Sequence, residues 1–557
     1  MMLDRCWIIV GGTVAQDFNL ASFCFQLRAA TMAFPIWTTF FLLPTTYLVW
    51  VIHRLTNNYT VARRVGIPVV VIPVNPESPL WMLLSDYIGP SIDRILSWLP
   101  FGSGYFTRYA HRGWDVHDRA KSFLELGDAF ILVTTGKNWL YICNAETLTE
   151  ILQRRKEFER PLEIMGRGKR LAKTSKSYGS PLASRIWASS GRNVFARRRK
   201  CWSSGIIVQI FDKLVKMCED SPSMSYRQLA LCFWVRNFLQ ATCSGFCQKH
   251  WRLVGQATST FKTHIAETIK EEIALMAKGK ENLGNFISAM VRASEEATRV
   301  VDDSTGGHFH GLREDEVFGN IFVFNFAGHD SIAITLTYVI THLAAHPEIQ
   351  DWLAAEIQYI RKDQGATSYR DAFPRLKRCT AVVYETLRTS TPFPAMVKNT
   401  GTQPRSLKVG DNTLQLPSGM NIITTFPSMH SHPRYWGDDA DIWRPERWIE
   451  TTDTASAGDS IFADEFLYTP HKGAFMPWSE GDRACPGKKF AQVELTGAVS
   501  VLFENYRVEP IPEAGESMEN ARERTKQMIE DSGMVLLIEM LHPEKVGLRW
   551  VKREAKI

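Results

Sequence analysis

One stretch decides the fold of this 557-residue chain: Trp478-Ser479-Glu480-Gly481-Asp482-Arg483-Ala484-Cys485-Pro486-Gly487. It places a lone cysteine, Cys485, between two glycines and ahead of a helix-like run from Lys488 to Phe503. Glycines let the backbone approach a flat partner closely, and a helix N-terminus lowers the pKa of a nearby thiol through its dipole. The pattern therefore predicts that a tight loop presents the thiolate, as is typical of a cysteine that acts as a ligand.

The segment resembles the haem-binding loop of the cytochrome P450 family, whose pattern is F-x-x-G-x-R-x-C-x-G. Trp478 stands at the aromatic position, and Gly481, Arg483, Cys485 and Gly487 stand at the others. The resemblance implies that Cys485 is the axial thiolate of a haem b iron and favours O–O cleavage. It also implies that Arg483 pairs with a haem propionate. A buried structural cysteine would account for Cys485 alone, but not for the whole pattern.

Length and composition set only broad limits. The length favours three or four domains at ~150 residues each, whereas the resemblance implies one large haem-binding domain, mainly α with small β-sheets, after an N-terminal transmembrane helix. An apolar content of 45% and a charged content of 22% are ordinary for a globular protein. The net charge of +6 is too small to indicate nucleic-acid binding. The ten cysteines contain no C-x-x-C pair and so no zinc signature. We expect a reduced compartment in which only Cys485 has a chemical role.

An apolar segment near the N-terminus predicts a membrane anchor. Residues 29–52 contain no Asp, Glu, Lys, Arg or His, and a membrane-spanning helix needs about 20 residues. Cations follow the run, which favours a single pass through the endoplasmic reticulum with the catalytic domain facing the cytosol. A cleaved signal peptide is the alternative, but no small-residue cleavage site stands out. We therefore expect an extension (1–28), a transmembrane anchor (29–53), a proline-rich hinge (54–80) and a haem-thiolate domain (81–557).

A basic stretch follows in the N-terminal half. Between Ile164 and Ile210 no acidic residue occurs, while Arg and Lys are dense. Such a stretch is typical of a patch that binds nucleic acid or an anionic surface, or of a solvated basic loop. We favour the loop because no aromatic residues are interleaved with the charges. The family carries the propionate-binding pattern W-x-x-x-R here. Phe195 and Arg199 have that spacing, with phenylalanine in place of the tryptophan. The resemblance therefore implies that Arg199 binds a haem propionate, with Arg197 or Arg198 as alternatives.

The interval between this stretch and the long central helix is shorter than in the family, by about a few dozen residues. Family members build the lid over their substrate from this interval. Two interpretations stay open: either the pocket is unusually open, or the sequence over residues 165–250 is a mis-spliced or frame-disturbed product.

Residues Glu314–His346 predict a long helix of about 50 Å at 1.5 Å per residue. Within it, Ala327-Gly328-His329-Asp330-Ser331 resembles the family's A-G-x-D/E-T signature on the helix that passes over the haem. The resemblance implies that Ala327 and Gly328 border the haem, and that Gly328 makes room for dioxygen and substrate. It also implies that Asp330 and Ser331 relay protons. Ser331 keeps the hydroxyl of the usual threonine but lacks the methyl that restricts its rotamer.

Two further motifs predict a buried ion network. Glu385-Thr386-Leu387-Arg388 places an acid and a base one helical turn apart, which alone is weak. With Pro445-Glu446-Arg447-Trp448 it resembles the family's E-x-x-R and P-E-R-F pair. The resemblance assigns Glu385, Arg388 and Arg447 to folding and haem retention, since one orphaned buried charge costs several kcal/mol.

Several shorter segments predict strands or the substrate pocket. Ala129–Thr134 and Trp139–Cys143 read as a strand pair, and Leu414–Ile423 reads as a hairpin about Pro417-Ser418-Gly419. Ser532-Gly533-Met534 and the apolar run after it resemble the terminal strand turn that closes the pocket. The apolar residues predicted to contact substrate are Phe326, Phe393 and Met396.

The resemblance implies a monooxygenase that inserts one oxygen atom of O2 into a lipophilic organic substrate. The chain carries no flavin or nicotinamide domain, so we expect electrons from the membrane-bound NADPH-cytochrome P450 reductase, docking near Lys488 and Lys489. The sequence around Pro477 and His432 resembles that of fungal members of the family. Many of these act in secondary metabolism, and we expect the same role here. The alternatives are an electron-independent haem-thiolate isomerase or dehydratase, and a non-catalytic haem binder.

Overall fold

A computed structural model describes the chain in several ranges. These are 36–76, 104–111, 113–159, 249–278, 314–362, 369–451, 461–481, 484–534 and 537–553, with a few isolated positions between them. The predicted propionate partners Arg199 and Arg483 lie outside these ranges, as do residues 1–28 and the basic stretch. Phe326 lies in a described helix, but its side chain is outside the description.

Helices dominate the described chain. Their bounds are α1 Ile36–Arg63, α2 Gly104–Tyr109, α3 Asp115–Asp118, α4 Lys121–Leu126, α5 Ala145–Gln153, α6 Lys249–Ala277, α7 Glu314–Ala345, α8 Pro347–Lys362, α9 Tyr369–Ala372, α10 Lys377–Thr389, α11 Phe426–His430, α12 Pro433–Trp436, α13 Ile461–Asp464, α14 Lys488–Asn505 and α15 Met518–Glu530. Short 3-10 turns cover Phe373–Arg375, Pro445–Trp448 and Pro543–Lys545. The predicted long helix is confirmed as α7, and the helix predicted after the cysteine is confirmed as α14.

Small sheets accompany the helices. The strands are β1 Val69–Val71, β2 Ala129–Val133, β3 Asn138–Ile142, β4 Ala395–Asn399, β5 Arg405–Val409, β6 Asn412–Leu416, β7 Asn421–Thr425, β8 Ile449–Thr451, β9 Glu465–Leu467, β10 Tyr506–Pro510, β11 Ser532–Met534, β12 Ile538–Met540 and β13 Leu548–Lys552. The largest sheet has the order β1-β2-β3-β7-β4. The predicted pairing of β2 with β3 is confirmed, and β11 pairs with β12 as a hairpin.

The hairpin predicted over Leu414–Ile423 is wrong. β6 pairs with β5 across the turn at Gly410, whereas β7 leaves that pair and lies between β3 and β4 in the large sheet. β7 is buried along its whole length, and a fully buried strand needs neighbours on both edges. Gly419, at a φ of +74°, turns the chain from one sheet to the other instead of closing a hairpin.

The core joins the helices that carry the predicted motifs. Helices α7, α8, α10 and α14 meet in one apolar cluster, which includes Val339, Leu343, Leu387, Leu495 and Val499. Two further clusters cover the faces of the large sheet. Helix α5 attaches to that sheet after Asn144, whose side chain accepts a hydrogen bond from the Thr147 N–H as an N-cap. The long helix is thus fixed against both the helix that follows the cysteine and the helix of the E-x-x-R motif.

Helix α1 covers the later part of the apolar N-terminal run and continues to Arg63, past the boundary predicted at residue 53. Its end packs on the large sheet, since Asn58 donates to the Thr134 carbonyl and Ala62 is fully buried. The proline-bearing segment then begins at Gly66 and enters β1. No helix in the described part of the chain is long and apolar enough to cross a membrane.

Gly473 gives a direct test of this packing. Its φ is +89°, and a Cβ added there would lie 2.5 Å from the Ala145 carbonyl oxygen at the start of α5. We expect Gly473→Ala to lower the free energy of unfolding by roughly 2–4 kcal/mol, because both the backbone conformation and the contact resist a side chain. The matched control is Gly419→Ala, which has a similar φ of +74° but no atom within 4 Å; it should cost about 1–2 kcal/mol. Urea unfolding followed by circular dichroism measures both, and equal losses would contradict the close contact.

Candidate functional site

The segment before Cys485 folds back on itself. Ser479 donates its N–H to the Met476 carbonyl at 3.0 Å, and Cys485 donates its N–H to the Trp478 carbonyl at 2.8 Å. Two left-handed residues make this return possible, Ser479 at a φ of +57° and Gly481 at +72°. The glycine adopts this conformation without strain, whereas the serine does not. The cysteine is therefore positioned by backbone geometry that local sequence imposes.

Cys485 presents its thiol from the start of α14. The side chain is exposed, and the backbone N–H groups of Gly487 and Lys488 point at its sulfur. The chain packed around the sulfur nevertheless desolvates the thiolate and raises the pKa of this thiol above its usual value, while the two N–H groups lower it by a smaller amount. The lowering effect predicted for the helix N-terminus is present in these two N–H groups, but desolvation of the thiolate is the larger effect.

Aromatic packing supports the loop from behind. The Trp478 ring lies edge-on to Tyr384 at 5.9 Å and to Phe475 at 6.3 Å between centroids. Lys488 extends its ammonium over the same ring at 5.7 Å, a cation–π contact. Trp478 thereby acts through packing on α10, and its predicted place beside the haem is compatible with that position.

The three charged residues of the predicted network come together in the core. The Glu385 carboxylate accepts from the Arg388 guanidinium at 2.8 Å on each oxygen and from Arg447 Nε at 2.9 Å. Glu385 and Arg388 are fully buried, and the Arg447 side chain is 7% exposed. Sequence reasoning missed Trp448, whose indole N–H donates to the second Glu385 oxygen at 2.9 Å. Every oxygen of this carboxylate is hydrogen-bonded, so the buried charge is compensated.

Arg388 also reaches out of the network. Its Nη1 donates to the His430 and Ala440 carbonyls at 2.7 and 2.5 Å, and Nη2 donates to the Ile442 carbonyl at 3.0 Å. Arg447 bonds Asp439 in turn at 3.0 Å. Neither Asp439 nor His430 belongs to a motif that the sequence analysis singled out. Only the folded chain brings them into contact with the network. The network therefore ties α10 to the segment between α11 and the Pro445–Trp448 turn.

The middle of α7 carries the second group of predicted residues. Ser331 donates its hydroxyl to the Ala327 carbonyl at 2.7 Å, one turn back along the helix. Asp330 is half-buried and lies 3.5 Å from the His329 ring nitrogen Nδ1. Among the described residues, no atom lies within 4 Å of a Cβ added at Gly328, so this part of the chain leaves space beside the turn. The hydroxyl and the carboxyl thus stand on adjacent residues beside an accessible space.

A second carboxyl faces this turn from β12. Burial and, after it, the charge of Asp330 raise the pKa of Glu539 to about 7. The β11–β12 hairpin is held on α7 by a 2.6 Å hydrogen bond between the Tyr338 and Ser532 hydroxyls. It also joins the segment that begins at Pro392, since Ile538 donates to the Pro392 carbonyl at 2.8 Å. Sequence reasoning missed Glu539, because only the folded hairpin brings it near α7.

The predicted substrate residues are placed differently from one another. Phe393 is 42% exposed beside the hairpin contact at Pro392. Met396 packs against both apolar clusters of the large sheet. The structure thus brings Phe393 to an accessible surface and places Met396 within the packing of β4.

The residues present fit a haem. A single thiol at a helix N-terminus supplies the soft thiolate donor that haem iron takes as an axial ligand. A thiol that coordinates a metal is deprotonated and releases its proton to solvent, which offsets the raised pKa of Cys485. A Cβ at Gly487 would lie beside the Cys485 sulfur at 3.7 Å, so the glycine leaves the neighbourhood of the sulfur uncovered by a side chain. Trp478, Gly481 and Gly487 would form the loop against the ring, with Cys485 as the ligand.

Comparison with known proteins decides the family. The family model described as cytochrome P450 matches residues 206–536 of this chain. The chain belongs to the cytochrome P450 family. A cytochrome P450 monooxygenase of Arthrobotrys oligospora is 25% identical over 570 residues, covering 89% of this chain and 95% of that protein. The phomenoic acid biosynthesis cluster cytochrome P450 monooxygenase of Leptosphaeria maculans is 25% identical, covering 83% and 90%.

The solved structures agree on the fold. The crystal structure of the cytochrome P450DA haem domain matches with a TM-score of 0.50 at 16% identity, covering 79% of this chain and 93% of that domain. This cytochrome P450 is an oxidoreductase of the monooxygenase type and binds haem b. As in P450 monooxygenases generally, it works with a redox partner, an organic substrate and O2.

Removing Arg447 should test the buried network. We expect Arg447→Leu to lower the free energy of unfolding by about 3–5 kcal/mol, because Glu385 keeps its charge in the core with one partner fewer. The matched control is Arg444→Leu, since the Arg444 side chain is 49% exposed and bonds the same Asp439 at 2.7 Å; an exposed ion pair contributes about 0–1 kcal/mol. Denaturant unfolding and haem content of the purified proteins measure the difference. Haem retention and stability at the control level in Arg447→Leu would contradict the role of the network.

Proposed function

We propose that this P450 is a membrane-anchored monooxygenase that inserts one oxygen atom of O2 into a lipophilic substrate during secondary metabolite biosynthesis. The observation that carries the proposal is the Cys485 thiol, exposed at the start of α14 and approached by the Gly487 and Lys488 N–H groups. The curated relatives named as P450 monooxygenases, one of them from a fungal biosynthetic cluster, support the reaction class.

The residues of this chain divide the work. Haem b, when bound, supplies the iron at which dioxygen is activated. The sulfur of Cys485 would coordinate that iron, and the folded loop would hold the sulfur in a fixed position at the start of α14. Arg199 and Arg483 are the proposed partners of the haem propionates.

Asp330 and Ser331 on α7 would move protons toward the reacting oxygen. The Ser331 hydroxyl donates to the Ala327 carbonyl. Rotated away from that acceptor, it would donate its proton toward the reacting oxygen and accept another from a neighbouring acid. Glu539 lies near Asp330 and has a pKa of about 7, which allows it to exchange protons near neutral pH. The presence of both the acid and the hydroxyl favours a monooxygenase over an electron-independent isomerase.

A lipophilic substrate is supported by two aromatic residues that the sequence predicts to line the pocket. Phe393 exposes 42% of its surface near the β11–β12 hairpin, and Phe326 belongs to the same turn of α7 as the predicted proton relay. Exposed aromatic surface of this kind binds apolar molecules through burial of nonpolar area.

Electron transfer is proposed to come from the NADPH-cytochrome P450 reductase. A cavity of about 200 Å³ lies beside the cysteine loop, and its charged lining residues are Lys472, Lys488 and Glu480. Lys488 and Lys489 are exposed at the start of α14. Cations at this face would attract an acidic partner and orient it toward Cys485.

Membrane attachment is proposed to use the N-terminal segment. Helix α1 exposes Tyr47, Leu48, Val49 and Trp50 by 47–62% of their surface, while its end packs on the large sheet. A contiguous apolar surface of this kind marks an interaction site, and aromatic side chains prefer the membrane interface. We propose a single pass in the endoplasmic reticulum with the haem domain facing the cytosol.

Coupling of NADPH oxidation to product formation tests the reaction. The full chain is reconstituted with reductase in vesicles, and a panel of lipophilic compounds is screened with isotope-labelled dioxygen. We expect labelled product that depends on NADPH and reductase. Ser331→Ala should lower product per NADPH by about tenfold or more and raise hydrogen peroxide, because a proton donor is lost.

The matched variant is Ser331→Thr, which keeps the hydroxyl and should keep the coupling of the natural chain. Unlabelled product that forms without NADPH would contradict the monooxygenase and favour an isomerase. Equal coupling in Ser331→Ala and Ser331→Thr would contradict the proton role of Ser331.

A further inference from the structure

His430 stands between the buried ion network and the cysteine loop. It is the last residue of α11 and has no exposed surface. Its backbone carbonyl accepts from Arg388 Nη1 at 2.7 Å, and its ring nitrogen Nε2 accepts from the Met476 N–H at 3.1 Å. One residue therefore contacts both the network and the start of the loop that leads to Cys485.

The imidazole ring is held in one orientation. It stacks on Phe426 with centroids 5.8 Å apart and an angle of 8° between the planes, and it meets Phe475 at 5.4 Å. Its other nitrogen, Nδ1, is buried and has no hydrogen-bond partner in the described part of the chain. The ring thus leaves Nε2 aimed at Met476.

The charge state of the ring suits this contact. Burial and, after it, the positive charge of Arg388 lower the pKa of His430 to about 3. The ring is therefore neutral at physiological pH and has a free electron pair on one nitrogen. A protonated ring has donors on both nitrogens and could not accept from an N–H group.

Hydrogen bonds continue from Met476 to the cysteine. The Met476 carbonyl accepts from the Ser479 N–H at 3.0 Å, and the Trp478 carbonyl accepts from the Cys485 N–H at 2.8 Å. Met476 itself is buried, with 2% of its surface exposed. A shift of Met476 would therefore move the loop segment around Trp478, to which the Cys485 backbone is hydrogen-bonded.

We propose that His430 is a positioning residue, whose Nε2 fixes Met476 and thereby sets the position of Cys485 relative to the Glu385–Arg388–Arg447 network. The tether is a property of the folded chain. Its consequence for the iron ligand rests on the proposed function of Cys485. The two parts are tested by different measurements, so that failure of one is distinguishable from failure of the other.

Hydrogen–deuterium exchange of the holoenzyme tests the tether. In His430→Leu the Met476 N–H loses its acceptor, and we expect amides of residues 474–488 to exchange at least about tenfold faster, with little change in β2 or α15. His430→Gln places an amide oxygen near the position of Nε2 and should restore most of the protection. The matched control is His342→Leu, a buried histidine that stacks on Trp443 at 4.6 Å and contacts Ser390; it should leave the loop unchanged.

The carbon monoxide complex of the reduced protein tests the consequence for the ligand. We expect His430→Leu to lose a large part of the thiolate-type, red-shifted Soret band, and His430→Gln and His342→Leu to keep it. Faster exchange without any loss of that band would support the tether and contradict its effect on the ligand.

Two results would overturn the proposal altogether: wild-type exchange in His430→Leu, or equal loss in His430→Leu and His430→Gln. If His430→Leu does not accumulate as folded protein, His430→Asn replaces it, because its amide is one methylene shorter and does not reach Met476. The comparison of Asn with Gln then decides by the same criteria.

Discussion

The structure depends on one buried carboxylate, that of Glu385. It accepts hydrogen bonds from Arg388, Arg447 and Trp448, and from the backbone N–H of Arg444 at 2.8 Å. A charge with no exposed surface is tolerated only when such partners replace water. Satisfying it requires α10, the Pro445–Trp448 turn and the segment after α11 to occupy fixed positions together. The position of the cysteine loop follows, since α11 ends at the histidine that bonds Met476.

The chemistry of the cysteine reflects two opposing effects. Backbone N–H groups at the start of α14 stabilise a thiolate, while burial disfavours it, and burial is the larger effect. A cation at the sulfur reverses that balance, so the same loop that keeps a free thiol protonated would hold a thiolate against iron. The groups on α7 suit proton movement instead, because an acid and a hydroxyl follow an open glycine and a second carboxyl approaches from β12.

The sequence was informative where chemistry and local structure coincide. The glycine–cysteine loop, the long helix through Asp330 and the pairing of Glu385 with Arg388 were all predicted, because each depends on residues close together in the chain or on motif pairs with a strong resemblance. The hairpin about Gly419 was wrong, because the choice of partner for β7 was set by burial between β3 and β4 and not by the turn. The helix N-terminus lowers the pKa of Cys485 as predicted, but the larger and opposite effect of desolvation was missed, because desolvation depends on the surrounding fold.

Residues that act across long sequence distances escaped the sequence analysis. Trp448, His430 and Glu539 have ordinary local surroundings, and their roles come from contacts with Glu385, Met476 and the Asp330 region. The P-E-R-W motif offered a signal for Trp448, since a tryptophan beside the motif arginine brings an indole donor. Nothing comparable marks His430 or Glu539.

The central claim is that the sulfur of Cys485 binds the haem iron. The most direct measurement is the absorption spectrum of the reduced carbon monoxide complex in Cys485→Ser, compared with Cys143→Ser, in which an equally free but buried cysteine is changed. The account predicts a red-shifted thiolate-type Soret band in the natural chain and in Cys143→Ser, and its complete loss in Cys485→Ser. A thiolate-type band that persists in Cys485→Ser would contradict it.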